Sequence, residues 1–295
     1  MNSILDQINS KFEEQFHHIY EQPELVECFL SDRSKEFDSL IVRKFKRLKL
    51  ETDFAIIALG GYGRNELFPG SDIDLSIIQL VKKSQKIEEV KDFIGWLWTL
   101  NVKIGHSVRT LREIQKITKT DLKEFTSYLS HRILYCVPES ERELQKNLNG
   151  IKKSWAKSKF FKAKRLEQYG RFQSFDSTEF NLEPDLKESP GCLRDFQTAL
   201  WILEHCFEVK NFEASARLGI FDIQYLKSIN TSYCHIKSMR FLLNIHAKSN
   251  RISFENQLLL ASKSRLRASK HSSAVEKFMC AFFQHASRLS DFNEM

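Results

Sequence analysis

Leu59-Gly60-Gly61-Tyr62-Gly63-Arg64-Asn65-Glu66-Leu67-Phe68-Pro69-Gly70-Ser71-Asp72-Ile73-Asp74-Leu75 is the stretch on which the reading of this chain turns. Residues 54–59, FAIIAL, enter it as a short apolar run with no polar break, the pattern of a strand buried on both faces. Residues 72–80, DIDLSIIQL, leave it as a second buried strand. Between them the double glycine and Gly63 mark a turn that needs positive backbone dihedrals or the close approach of a ligand. On a strand, residues i and i+2 share a face, so Asp72 and Asp74 present their carboxylates together while Ile73 and Leu75 turn to the core. Two carboxylates on one face are costly unless a cation sits between them. A hard divalent ion completed by substrate phosphates fits such a pair, magnesium or, in its place, manganese.

The rest of the turn suits a phosphate. Backbone amides at Gly60 and Gly61 are unscreened by side chains and donate to phosphate oxygens, with the Ser71 hydroxyl beside them. Transfer of a phosphoryl or nucleotidyl group needs mostly positioning and charge neutralisation, which is what this set offers. Asp-x-Asp alone is common in turns; joined to a double glycine between two apolar strands it is far rarer. A dinucleotide fingerprint fits less well, because Arg64, Asn65 and Glu66 stand where its third glycine belongs and Pro69 blocks a helix at the loop. No P-loop is present.

Outward from this core, residues 3–50 read as helical, with Ile4, Ile8, Phe12 and Phe16 recurring every fourth position. A charged helical stretch (84–100) and a third strand (102–110) follow. From 111 on the pattern is helical, broken by a loop at 175–191, with helical signatures opening at Cys192 and spanning 222–249. The expected fold is α+β: a small mixed-sheet core with N-terminal helices over 1–120, and an all-helical domain over 121–295. With 10 Gly and 5 Pro in 295 residues the chain is helix-rich, and its 24 Phe imply an aromatic core. Six cysteines lack metal-type spacing and are read as reduced thiols. The N-terminus mixes charges into its apolar positions, and no apolar run approaches the roughly 20 residues of a membrane span, so a cytoplasmic protein is expected. The net charge of +7 is spread over short runs (44–49, 157–165, 262–270) rather than one arm, which suits nucleic acid, an acidic partner or nucleotide phosphates alike.

The string GGYGRNELFPGSDIDL resembles the active-site motif of the bifunctional PII uridylyltransferase/uridylyl-removing enzymes, in the DNA polymerase β-type nucleotidyltransferase superfamily. The resemblance continues, in the family's order, through Gly105-His-Ser-Val-Arg-Thr110, residues 181–195 (NLEPDLKESPGCLRD), Arg240-Phe241 and Ala274-Val-Glu-Lys-Phe-Met279. It implies transfer of UMP from UTP to a tyrosine of a PII-like signalling protein in nitrogen regulation, with Asp72 and Asp74 as catalytic metal ligands and Gly60 and Gly61 facing the phosphates. In the 181–195 block, Lys187 and Arg194 are either phosphate partners near a helix N-terminus or ion-paired to Glu183, Glu188 or Asp195 while the block docks the helical unit. Arg109 either neutralises pyrophosphate or pairs with a carboxylate, and His106 reads as a structural strand residue.

The chain also departs from the family. It contains no His-Asp dipeptide and stops at Met295, so the HD and ACT domains, and with them nucleotide removal, are expected to be absent. Asn65 replaces the glycine of the family's GRGEL, Gly70 a bulky residue, and Asn101 a glycine; Trp98-Thr99 stands for Trp-Asp. No third carboxylate occurs in 102–110. Two other readings stay open: a non-catalytic nucleotide- or partner-binding relic, against which both aspartates are kept, and a nucleotidyltransferase acting on RNA. The RNA reading lacks stacking aromatics among its basic runs, apart from KSKFFKAKR.

Overall fold

The computed structural model describes residues 2–100, 102–175, 178, 180–209 and 212–294; Asn101 and part of the 175–191 loop expected above (Asp176, Ser177 and Glu179) lie outside them. The fold is α+β, with a four-stranded mixed sheet and helices before and after it. By contacts the chain divides into two compact units, one of Leu30–Ala156 and one of Asn2–Phe29 with Lys157–Met295.

In the first unit the sheet has the order β3-β2-β1-β4, from β1 (Phe54–Ala58), β2 (Ile73–Gln79), β3 (Ile104–Thr110) and β4 (Arg132–Tyr135). β1 is buried at all five positions, as its unbroken apolar run requires. It pairs antiparallel with β2 and β4, while β2 and β3 run parallel. A parallel pair needs a long crossover, which residues 80–103 supply around the helix Ile87–Trp98. That helix buries Val90, Phe93 and Leu97, and Phe93 meets Phe45 edge-on at 5.6 Å. Phe45 ends a stripe of Leu30, Phe37 and Ile41 on the helix Val26–Arg47, whose last turn carries Lys44, Lys46 and Arg47 where the helix dipole favours cations. Tyr135, opposite Ile56, lies 6.3 Å from Phe45, so this helix covers the face of Ile56, Leu75 and Ile77. The other face carries Asp74 and Ser76, and there Tyr128 of the helix Leu122–Leu129 hydrogen-bonds Ser76 at 2.9 Å.

Two expectations change. The stretch after 111 is not helical throughout, because β4 joins the sheet edge beside β1 through a register shift at Ile56/Ile57. The boundary near 120 also moves, since β4 and the contact of the Trp155 indole N–H with Thr118 O (2.7 Å) tie residues 121–156 to the sheet.

The second unit is helical. Its central helix, Ile223–His246, is buried all round from Ser232 to Asn244. Phe12 stacks on its Phe241 at 4.0 Å, so the N-terminal helix Asn2–Glu14 belongs here and not with the sheet. Phe196 stacks on Tyr233 at 4.0 Å. Two buried charged groups on this helix have partners: Lys237 reaches Glu27 at 2.6 Å and Arg240 Nε reaches Asn250 Oδ1 at 2.8 Å.

One buried pair gives the unit a pH dependence. His235 stacks on His285 at 4.1 Å, against Tyr20 and with Ser232 Oγ 3.0 Å from His285 Nδ1. Burial lowers His235 to a pKa of about 4, opposed by Glu24; burial, His235 and Arg288 lower His285 to about 3. A histidine depressed in the folded state stabilises it above its unfolded pKa of about 6.5, and that contribution is lost as pH falls. For His235 alone the loss is about 3 kcal/mol between pH 6.5 and pH 4. Urea melts should show stability falling already between pH 6.5 and 5, before carboxylates titrate, and His235→Phe/His285→Phe should flatten that window. A wild-type profile level down to pH 5 would contradict the burial of the pair.

Candidate active site

β1 ends at Ala58, and Leu59 leads in extended conformation into a single helical turn, Gly60–Gly63. The first amides of such a turn have no acceptor within it, and no side chain caps them here. Gly60 adopts φ +57°, so the left-handed conformation foreseen at the double glycine is present at its first residue. Gly63 serves the other purpose: a methyl there would lie 1.9 Å from Ser130 O and 2.9 Å from Ala58 O, so the turn packs backbone to backbone. Asn65 holds φ +59°, which explains why the resembled family has glycine there and why Asn, which tolerates this region, replaces it. Gly70 holds φ +71° just before Ser71.

The turn is anchored from two elements of its own unit, the helix Val26–Arg47 and β4. Tyr62 donates to Asp38 at 2.6 Å, and Arg132 of β4 grips the same carboxylate with both terminal nitrogens (2.6 and 3.1 Å) and donates to Tyr62 O at 3.2 Å. Burial and the Asp38 carboxylate push the Tyr62 phenol far up, so it stays a donor. Arg64 pairs with the buried Glu66 at 2.7 Å, and Arg33 Nε donates to Leu67 O at 3.1 Å. Asp38, Arg132 and Arg33 carry no signal in the sequence, whereas Tyr62, Arg64 and Glu66 sit inside the glycine motif.

β2 then carries Asp74, and Asp72 stands immediately before it. Ile73 and Leu75 are buried, Asp72 is exposed and Asp74 half-buried, as strand alternation requires. Leu59 N donates to Asp74 O at 2.9 Å, which brings Gly60 to the carboxylate: a methyl on Gly60 would lie 3.3 Å from Asp74 Oδ2. On the other side, β3 sets Gly105 in register with Asp74. Gly60, Gly61, Ser71, Asp72 and Asp74 thus share one end of the sheet, with Ser71 half-exposed beside Asp72.

Arg109 is elsewhere. It stands at the far end of β3, four residues or about 13 Å along the strand from Gly105. Glu124 holds its guanidinium bidentately at 2.7 and 2.8 Å, so of its two expected roles the structure displays the ion pair. His106 is exposed on the opposite face, edge-on to Trp98 at 5.8 Å. Among the described residues no cluster of three or more His, Cys, Asp or Glu could hold a metal. The unpaired cysteines at 136, 192, 206 and 234 are pushed up by burial, so none of these four is poised as a thiolate.

In the second unit, the 181–195 block is a stitched turn. Asp185 Oδ1 accepts from the amides of Lys187 and Glu188, both at 2.8 Å, and Leu186, Ser189, Cys192, Leu193 and Asp195 are buried. Lys187 and Arg194 keep part of their side chains in solvent (39% and 28%), and both lie against Glu188, at 3.8 and 3.1 Å. Charge pairing and solvent access therefore coexist at the two cations.

A glycine turn followed by paired aspartates on a small mixed sheet defines a nucleotidyltransferase-like core, and similarity to known proteins points the same way. Residues 159–295 match the family model described as GlnD PII-uridylyltransferase. The chain is 30% identical over 275 residues, 92% of its length, to the bifunctional uridylyltransferase/uridylyl-removing enzyme of Pseudomonas aeruginosa PAO1, covering 30% of that protein. It is 32% identical to the enzyme of that name from Hydrogenovibrio crunogenus (92% of this chain, 31% of that protein) and 34% identical to that of Haemophilus influenzae PittEE (90% and 31%). Residues 159–295 are thus similar to the GlnD PII-uridylyltransferase family model, and the chain is similar over most of its length to these enzymes while spanning about 30% of theirs.

Proposed function

We propose that this chain is a magnesium-dependent nucleotidyltransferase that moves UMP from UTP to a tyrosine of a PII-like protein. The observation that carries the reading is the Asp74 carboxylate lodged beside Gly60, with Asp72 immediately before the strand that bears it. The two carboxylates are hard oxygen donors, which fits magnesium or manganese completed by phosphate and water. Bound there, the ion would neutralise charge on the α-phosphate and the attacking oxygen. In the reaction the tyrosine phenol oxygen bonds to the α-phosphorus, the bond to the β-phosphate oxygen breaks, pyrophosphate leaves and the phenol proton passes to solvent. The Gly60 and Gly61 amides and the Ser71 hydroxyl orient the triphosphate; Lys187 and Arg194 are proposed to bind phosphate within their own unit.

These 295 residues, without a His-Asp dipeptide, are proposed to add the nucleotide and not to remove it. No helix among the described residues is long and apolar enough to cross a membrane. A UTP-consuming reaction belongs in the cytoplasm.

The experiment that tests the reading supplies labelled NTP, magnesium, a PII-like protein and total RNA together. Label should appear on protein tyrosine as a phosphodiester and be greatest from UTP. The RNA reading demands several neutralised phosphates, each contributing about −0.7 to the log–log salt slope of binding to single strands. The charge is dispersed, so RNA binding should be weak, collapse with salt and leave 3′ ends unextended. Elongated RNA with unlabelled protein would overturn the proposal.

A further inference from the structure

We propose that Gly105 is a positioning residue whose missing side chain is the space that the Asp74 carboxylate occupies. The inference rests on the nucleotidyltransferase reading and extends it to a residue outside the glycine turn and the aspartate pair.

Glycine weakens a strand, so its presence inside β3 requires a reason. Backbone geometry supplies none, because Gly105 is not among the residues with positive φ. Core packing supplies none either, because Gly105 is exposed. What a side chain would meet is specific. A methyl at Gly105 would lie 2.4 Å from Asp74 Oδ1 and 3.6 Å from its Cγ, with no other contact within 4 Å. The in-register pairing Asp74↔Gly105 puts both residues on one face, followed by Ser76↔Ser107, where the Ser107 hydroxyl donates to Ser76 at 3.2 Å. Gly60 borders the carboxylate from the other side. Asp74 therefore has a slot between two glycines from two different elements. Closing the slot from the Gly105 side drives the carboxylate away from its position without touching backbone.

This makes a selective prediction, since the clash at Gly105 is with the tip of one side chain. Gly105→Ala should fold and melt no lower than wild type. Its Mn2+ affinity, read by electron paramagnetic resonance with a non-hydrolysable UTP analogue present, should fall about 10- to 100-fold, the usual cost of disturbing a ligand's support. Asp74→Asn is the reference for loss of the ligand. In an Asp74→Ala background, adding Gly105→Ala should change neither melting nor residual Mn2+ binding. Wild-type Mn2+ affinity in Gly105→Ala, with affinity lost in Asp74→Asn, would overturn the role of Gly105 and leave the metal reading standing. Wild-type affinity in both would remove the metal reading itself and the proposal with it. Unfolding by Gly105→Ala that persists beside Asp74→Ala would make the glycine structural and overturn the proposal.

Discussion

Asp72→Asn and Asp74→Asn should each lower nucleotide transfer at least about a hundredfold, the scale on which one charge-stabilising group acts in such a transition state. The substitutions keep size and shape and remove a negative charge where phosphate charge must be neutralised. Folding should survive both. Asp72 is exposed, and Asp74 lies near one end of the sheet between Gly60 and Gly105, on the face opposite the apolar layer of Ile73, Leu75 and Ile77. Removing one of two neighbouring carboxylates relieves repulsion in the metal-free protein. Circular dichroism and melting should therefore match wild type while the rate collapses. Full activity in either variant would remove that aspartate from the mechanism.

Asp195→Ala should destabilise the helical unit by about 3–5 kcal/mol, the cost of stripping one partner from a buried ion pair. Asp195 is wholly buried in the first turn of the helix Leu193–Phe207, where the helix dipole favours an anion. It receives the Arg171 guanidinium and the Gly191 amide, the latter at 2.7 Å. Gly191 has little freedom to adapt, with φ +72° and a methyl there falling 2.3 Å from Ala286 O. Truncation leaves a nearly buried guanidinium and a buried amide without their acceptor. Replacing both partners, as in Arg171→Met/Asp195→Leu, should recover much of the loss because the unpaired charge disappears with it. Urea melts of the two variants and the wild type decide this, and an Asp195→Ala midpoint equal to wild type would show that the pair is not what holds the turn.

The parts of this molecule that the sequence announces are those whose cause is local. β1 is legible because an unbroken apolar run ending at a double glycine leaves few alternatives, and β2 because apolar residues follow the Asp-x-Asp pattern, with Asp72 exposed and Ile73 buried. β4 is hidden because Arg132–Tyr135 is four residues long, half-exposed throughout and without turn residues, so only its pairing with β1 makes it a strand. The unit boundary is hidden for a related reason. The fourfold spacing of Ile4, Ile8, Phe12 and Phe16 reveals an apolar face, but not that Phe12 meets Phe241. The helix Pro138–Ile151 likewise reads as part of a helical domain until β4 and Trp155 tie its surroundings to the sheet. Around the candidate site, alternation gives the carboxylates but not their support. Asp38 and Arg132 reach Tyr62 across long stretches of sequence, and Gly105 acquires meaning only once the parallel register sets it against Asp74.

Labelling of a PII-like protein by the purified chain, with UTP carrying its label on the α-phosphate, tests the central claim most directly. The account predicts label on a tyrosine of the acceptor, located by mass spectrometry, that requires magnesium or manganese and disappears with Asp74→Asn. Label that stays in UTP with every acceptor offered, or that reaches the tyrosine equally well with Asp74→Asn, would contradict it.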